Sequence, residues 1–446
     1  MSGPSGPVLS LGNSRLPRRR WRIAWLLGIG VLVNYFDRVN LSVSSQALVA
    51  TFGISDVVFG YLSSAYNWTY AACQLPIGVV LDKFGVRRVG RVGTFLWSVA
   101  SFGAAVTPSL NGLFGARFLL GIGEAPTFPS NAKAVGMWFP EHERGLSTAL
   151  FDGAAKFASA IGVPLIGAFL LYAGWRWSFA LTGAISFIYF LYFWRVYRDP
   201  EEDAELTEAE RQYIRQDKSA PAPASSAHAS PASANPAIQP PSSIGRLLAQ
   251  RKVLGLTLGM GAYNYVFYLL LTWLPRYLAT SLHVELFHSF LYTSVPWLVA
   301  TFTDVAIGGW LIDHLIHRGR DANRVRRVVL IAGTAFGLGI LGAAQAHDAA
   351  SALFWISMSI GGLSAASPVL WATPALIVRR NDVGKVGGIA NFAGQISGIS
   401  APIITGYLVS SLHSYFWVFG VAAIYLAIGI AGYFFLLGRI EMESAS

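Results

Sequence analysis

Apolar windows of about 20 residues recur along almost the whole chain, separated by short polar breaks. A helix of that length spans the hydrocarbon core of a bilayer. The pattern predicts twelve spanning helices, at residues 22–48, 58–81, 89–107, 112–138, 146–172 and 175–196, then 253–278, 287–312, 326–346, 352–377, 386–410 and 415–437. The first window is too long for a signal-peptide core and lacks a small-residue cleavage site after it, so it is expected to be retained. One stretch breaks the pattern. Residues Asp199 to Asp217 are acidic and helix-prone, and residues 219–243 are built almost wholly from Ala, Pro and Ser, a solvated linker that cannot bury a core. The expected organisation is a basic tail (1–20), a six-helix bundle (21–197), the linker (198–250), a second six-helix bundle (251–438) and a short tail (439–446). This is an all-α integral membrane fold.

Composition agrees: 54% of residues are hydrophobic and 13% charged, against about 25% charged in soluble domains. The formal charge of +10 at pH 7 would suit a nucleic-acid partner, but the positions of the charges exclude one. Arg15, Arg18, Arg19, Arg20 and Arg22 precede the first span. Lys83, Arg87, Arg88 and Arg91 follow the second, Arg318, Arg320, Arg324, Arg326 and Arg327 the eighth, and Arg379, Arg380 and Lys385 the tenth. The opposite loops, near 49–57, 107–112, 279–288, 346–352 and 411–414, hold no Lys or Arg, with Arg176 the main exception. By the positive-inside rule both termini face the cytoplasm, across a plasma or inner membrane. The one cysteine, Cys73, lies in the second span and reads as a small apolar residue. The eight histidines show no metal-ligand spacing, and no Gly-x-x-x-x-Gly-Lys-Ser/Thr run exists, so ATP hydrolysis is not the expected power source.

Charges inside the spans carry the chemistry. The fourth span holds Arg117 and Glu124, seven residues apart and therefore on one helix face, and the first holds Asp37 and Arg38. Each ionisable group costs at least about 2.5–3.5 kcal/mol at the bilayer centre, so such groups usually line a water-filled path. A guanidinium keeps its charge and offers a planar fork to a carboxylate, so Arg38 and Arg117 are candidates for binding an anion; the plain alternative is that each neutralises a nearby acid. A carboxyl in an apolar site has its charged form disfavoured, so Asp37 and Glu124 are candidates for proton coupling, against a permanently ionised structural bridge. An acid whose arginine is borrowed by a substrate accepts a proton, which would link the two cargoes. Arg117 and Glu124 stand about 10 Å apart along their helix, so partners across helices, such as Asp37 or Arg38, are expected instead.

A weak repeat supports the two halves: Gly78-x-x-x-Asp82-Lys83-x-Gly85-x-Arg87-Arg88 after the second span, and Gly309-x-x-x-Asp313-His314 after the eighth. Together with Tyr35-Phe-Asp37-Arg38-x-Asn40, the Arg117–Ala125 run and Gly174-Trp-Arg-Trp-Ser-Phe179, these residues make the chain resemble the major facilitator superfamily. Within it, the likeness is to the anion:cation symporters of sugar acids and other organic anions. The resemblance implies alternating access around a central site, Arg38 and Arg117 in the cavity, and Asp37 and Glu124 as the coupling pair. It also implies that Tyr35 and Tyr70 give hydroxyls and that Asn391 gives an amide from the second half. Spans also hold many aromatics that only pack or anchor. Gly78, Asp82, Gly85, Arg87, Arg88 and Asp313 read as a gate, with glycines for close helix approach and Asp82 facing an opposing helix terminus.

Asp152 and Lys156 depart from the family pattern. They read either as an i,i+4 ion pair or as a third positive group, Lys156, that selects a different anion. Asp304 has no sequence neighbour to neutralise it. It would bind a second cation, bridge the halves, or sit in water. The expected function is proton symport of a small organic anion by a monomer, without enzymatic activity or a resident cofactor. The alternatives are an organic-anion exchanger and, further off, a membrane anion sensor. A membrane enzyme is weakest, because no nucleophile–base pair appears in any span.

Overall fold

The computed structural model describes residues 18–140, 143–215, 243–379 and 382–441, all of whose regular elements are helices. Arg15, Arg380, nearly all of the 219–243 run and the last five residues lie outside the described residues. The first half comprises α1 (Arg19–Val43), α2 (Ser45–Phe52), α3 (Asp56–Val106), α4 (Leu110–Glu124), α5 (Thr127–Trp138), α6 (Arg144–Ala173) and α7 (Trp175–Val196). Next come two short helices, α8 (Glu208–Arg215) and α9 (Ile244–Leu248). The second half comprises α10 (Arg251–Ser281), α11 (Leu286–Thr303), α12 (Ile312–His317), α13 (Ala322–Gly337), α14 (Ile340–Ala344), α15 (Ala349–Ile377), α16 (Val383–Leu412) and α17 (Phe416–Ala431). Wider, π-helical turns occupy Asp304–Leu311 and Gly432–Leu437.

The boundaries have local causes. Ser55, Ser109 and Asp348 accept the backbone N–H three residues on, capping α3, α4 and α15. Gly85, at φ 76° and ψ 164°, is non-helical and breaks α3 into two helices, which hold the predicted second and third spans. Gly174, at φ 86°, separates α6 from α7.

Nine described helical stretches are long and apolar enough to cross a membrane, or up to ten if α2 and Asp56–Gln74, bent by 120°, count as one. The shortfall from twelve falls on the predicted first and fourth spans, and on the second unless that bent pair is counted. Helix α1 carries Arg19, Arg20, Arg22, Asn34, Asp37 and Arg38. The predicted helix 112–138 is interrupted in its hydrogen-bond ladder at Ala125–Pro126, where Pro126 has no N–H to give, while both residues keep right-handed helical angles.

Within the first half α1 packs on α6 and α7, and α3 on α4 and α7; within the second, α10 packs on α16 and α17, and α15 on α11 and α13. The halves meet along three lines, α1 with α10, α3 with α16, and α6 with α11. The α3–α16 and α6–α11 lines are tight at one end and loose at the other. At the end remote from Arg19, a Cβ on Gly60 would fall 2.5 Å from the Pro402 carbonyl, one on Gly406 2.5 Å from the Asp56 carbonyl, and one on Gly167 2.2 Å from the Phe290 ring. Arg276 pairs there with Asp56 across the halves. At the end near Arg19, Cβ atoms on Gly78, Gly145, Gly153, Gly384, Gly387 and Gly388 would meet nothing within 4 Å. The interior is therefore closed on one side of the membrane and open toward the other.

The start of the predicted linker is part of the first half. Glu210 of α8 is buried and accepts the backbone N–H groups of Arg19 (3.2 Å) and Arg20 (3.1 Å), so α8 caps α1. Arg19 also pairs with Asp203 at 2.8 Å, and Arg20 with Glu143 at 2.7 Å and Glu210 at 3.0 Å. Arg176, the exception to the charge rule, donates to the carbonyls of Ala105 (3.3 Å) and Thr107 (2.6 Å) at the end of α3.

Candidate functional site

Burying four charges between helices needs a partner for each, and the structure shows where those partners come from. Arg38 Nε donates to Glu124 Oε2 at 3.0 Å, joining α1 to α4, with both side chains buried. This is the cross-helix pairing that the helix rise requires, since Arg117 and Glu124 cannot meet on one helix. The Arg38 guanidinium also lies against three rings, with Tyr35 at 4.6 Å, Tyr66 at 4.7 Å and Tyr70 at 5.5 Å. Arg117 reaches the Asp37 carbonyl at 3.4 Å and the Tyr66 ring at 5.6 Å. The Asp37 carboxylate accepts from Ser101 of α3 and Ser186 of α7, both at 2.7 Å. Two arginines thus face two carboxylates in one apolar setting, and the four formal charges cancel.

Not every bonding position is used. Nη2 of Arg38, Nε of Arg117 and Oε1 of Glu124 have no hydrogen-bond partner among the described residues. Buried polar groups are normally satisfied, so three orphaned positions in one cluster mark a place where something else can bind. Arg38 and Arg117 line a cavity of about 330 Å³, its open mouth included. Tyr66, Asn67, Ser42 and Ser63 line it from the first half, and Tyr268, Leu271 and Thr272 from α10 of the second.

Sequence reasoning placed Arg38 and Arg117 on this cavity and Glu124 beside it, and it missed Tyr66, Asn67 and Tyr268. Tyr66 was findable, because it precedes Tyr70 by one helical turn and so shares its face. Tyr35 and Tyr70 back Arg38 rather than line the cavity. Asn391 of α16 donates to Gln74 of α3 at 3.2 Å, a hydrogen bond between the halves away from the cavity lining. Lys156 is also elsewhere. Its Nζ lies 3.3 Å from Asp152 Oδ2 and 3.0 Å from Asp304 Oδ1, so the i,i+4 pair forms and Asp304 bridges the halves.

The gating residues keep to their own half in this conformation. Gly78 faces open space rather than a neighbouring helix. Asp82 pairs with the Lys133 side chain of α5 at 2.6 Å rather than a helix terminus. Arg87 pairs with Glu202, Gly85 supplies the turn inside α3, and Arg88 and Asp313 are exposed. No group of three or more metal-binding side chains occurs among the described residues.

A two-half helical bundle around a charged cavity between the halves is the architecture of a secondary transporter. Residues 27–399 match the Major Facilitator Superfamily, and the chain belongs to that family. It is 36% identical to the uncharacterised transporter YybO of Bacillus subtilis, over 97% of this chain and 98% of that one. It is 31% identical to a D-galactonate transporter of Escherichia coli O6:H1 (95% and 97%) and 29% identical to a probable galactarate/D-glucarate transporter of Escherichia coli K12 (95% and 95%). Among solved structures, a bacterial homologue of the human lysosomal transporter Spinster, inward-facing and unoccupied, superposes with a TM-score of 0.72 at 16% identity, over 95% of this chain and 98% of that one. A D-xylose–proton symporter superposes at 0.67 and 16%, over 93% and 97%. At such identities these two support the fold alone. The protein is a multi-pass membrane transporter, not an enzyme, and its sequence is close to those of sugar-acid transporters.

Proposed function

We propose that this protein is a proton-coupled symporter that carries a sugar acid, a hexonate, hexuronate or aldarate, into the cell by alternating access. The observation that carries the reading is the buried Arg38–Glu124 pair at the edge of the cavity, with Nη2 of Arg38 and Oε1 of Glu124 unused. An entering carboxylate is drawn to the Arg38 and Arg117 forks. Four charges that cancel become a net negative set once a monoanion joins them, and a dry site disfavours that charge. Glu124, left with less of its arginine, takes a proton and restores neutrality; Asp37 is the second candidate. The hydroxyls of Tyr66 and Ser63 and the Asn67 amide suit the polyol chain of such a substrate.

The basic residues on the side of Arg19 make the open side cytoplasmic, so the structure would be the state that releases cargo inward. The coupling ion is the proton, no resident cofactor is required, and one chain holds the complete site, so the working unit is a monomer in the plasma or inner membrane. The test is uptake of labelled D-galactonate, galactarate, glucuronate, succinate and benzoate into proteoliposomes, with and without an inward proton gradient. Gradient-driven accumulation of a sugar acid, absent for succinate and benzoate, is the expected result. Exchange against a preloaded anion that ignores the gradient would make the protein an exchanger.

A further inference from the structure

A second buried ion cluster lies outside the cavity. Lys156 of α6 is 2% exposed and sits between Asp152, one turn back on its own helix, and Asp304, at the start of the π-helical turn in the second half. The three formal charges sum to one negative charge in a place where uncompensated charge is costly. The two aspartates are not equivalent. Asp152 is a quarter exposed and lies on the open side, next to Gly153, whereas Asp304 is nearly fully buried.

Their access to counter-charge also differs. The Lys156–Asp152 spacing is fixed by one helix. The Lys156–Asp304 distance depends on how α6 lies against α11 and the turn after it, and rocking one half against the other changes it. Among the described residues of the second half, none replaces Lys156 beside Asp304: every described Lys and Arg there stands within about two turns of a helix end, and Arg276 is held by Asp56. Helix α15, packed against the Asp304 turn, carries no charged residue, α11 has only the exposed His288, and α12, which continues the turn, has Asp313, His314 and His317, all at least about two and a half helical turns past Asp304. From α10, Tyr263 is close to all three charges but supplies none.

We infer that Asp304 is a further proton-carrying carboxylate of the transport cycle, with Lys156 as a shuttle that neutralises it in one conformation and withdraws to Asp152 in another. As Lys156 withdraws, a carboxylate oxygen of Asp304 takes a proton from water and the group becomes neutral. As Lys156 returns, that proton leaves to water on the open side past Asp152. Lys156 stays an ammonium throughout, so each cycle takes up and gives back one proton. The inference rests on the proton-coupled reading above and adds one proton to what Glu124 and Asp37 carry.

The test uses full-length protein in proteoliposomes and has two readouts. Infrared difference spectra across a pH step, without substrate, should show a carboxylic-acid C=O band that Asp304→Asn removes and Asp304→Glu keeps. Glu124→Gln should remove a different band. The proton count per labelled D-galactonate should fall by one in Asp304→Asn and return to the wild-type count in Asp304→Glu. Asp304→Asn should still exchange labelled for unlabelled D-galactonate, which shows that it is folded. Identical bands and counts in wild type and Asp304→Asn would overturn the inference while leaving the Glu124 band to support the symport reading. Loss of exchange in both Asp304→Asn and Asp304→Glu would make Asp304 a structural bridge and also overturn it. Failure of the wild type to move protons with D-galactonate, galactarate or glucuronate would refute the parent reading and the inference with it, whereas loss of the Asp304 effects alone overturns only the inference.

Discussion

At the scale of single residues, the cost of burying a charge depends on its partner. Removing one member of a buried ion pair costs about 3–5 kcal/mol, because the other member is left uncompensated. Arg38→Met should therefore lower the melting temperature of the detergent-purified protein more than the double variant Arg38→Met/Glu124→Gln does. An equal loss in both would mean that Arg38 stabilises through its three tyrosine contacts alone. Tyr66 gives a second residue-level expectation. Its hydroxyl has no partner and lines the cavity, while its ring faces both arginines. Tyr66→Phe keeps the ring and should weaken sugar-acid binding by about 0.5–1.5 kcal/mol, the worth of one neutral hydrogen bond, with little effect on stability. Calorimetric titration of the two proteins with D-galactonate checks this.

At the scale of elements, two features that look like filler in the sequence carry structure. Helix α8 lies in the acidic stretch that reads as helix-prone but as part of the connection between the halves, and there Glu210 caps α1 and pairs with Arg20. Glu210→Ala should cost about 2–3 kcal/mol, since charge-assisted hydrogen bonds are lost at a buried helix terminus, and should expose the segment near 198–215 to protease. Gly406 lets α16 touch the backbone of α3 at the closed end. Gly406→Val places a side chain against the Asp56 carbonyl, so closure there is prevented. A cysteine introduced at Ser63, buried in the cavity lining, should then be labelled by an impermeant maleimide from the outside, far faster than with glycine at 406; equal labelling would contradict the packing account.

The helices themselves were legible because a 20-residue apolar window has few other uses in a chain this hydrophobic. The interruption at Pro126 was written in the sequence too, since proline has no N–H to give; what pattern could not show was the role of α8, which depends on contacts about 190 residues apart in sequence. The site was half legible for a similar reason. Charged residues in apolar spans stand out, so Arg38, Arg117, Asp37 and Glu124 were visible. Ser101, Ser186 and Tyr268 are ordinary residues for a span and gain meaning only from what folding brings beside them.

At the scale of the whole molecule, two of the lines of contact between the halves, α3 with α16 and α6 with α11, share one gradient, from jammed glycines at one end to open ones at the other. The arginine–carboxylate cluster lies with its cavity between the halves, where a rocking motion changes which side reaches it. On the proposed reading, the substrate would compete with Glu124 for Arg38, and charge balance would make the proton follow. The most direct measurement places a pH dye inside proteoliposomes and adds D-galactonate outside, for wild type and Glu124→Gln. The account predicts internal acidification by the wild type, none by the variant, and retained exchange of labelled D-galactonate by both. Acidification by Glu124→Gln at the wild-type rate would contradict it.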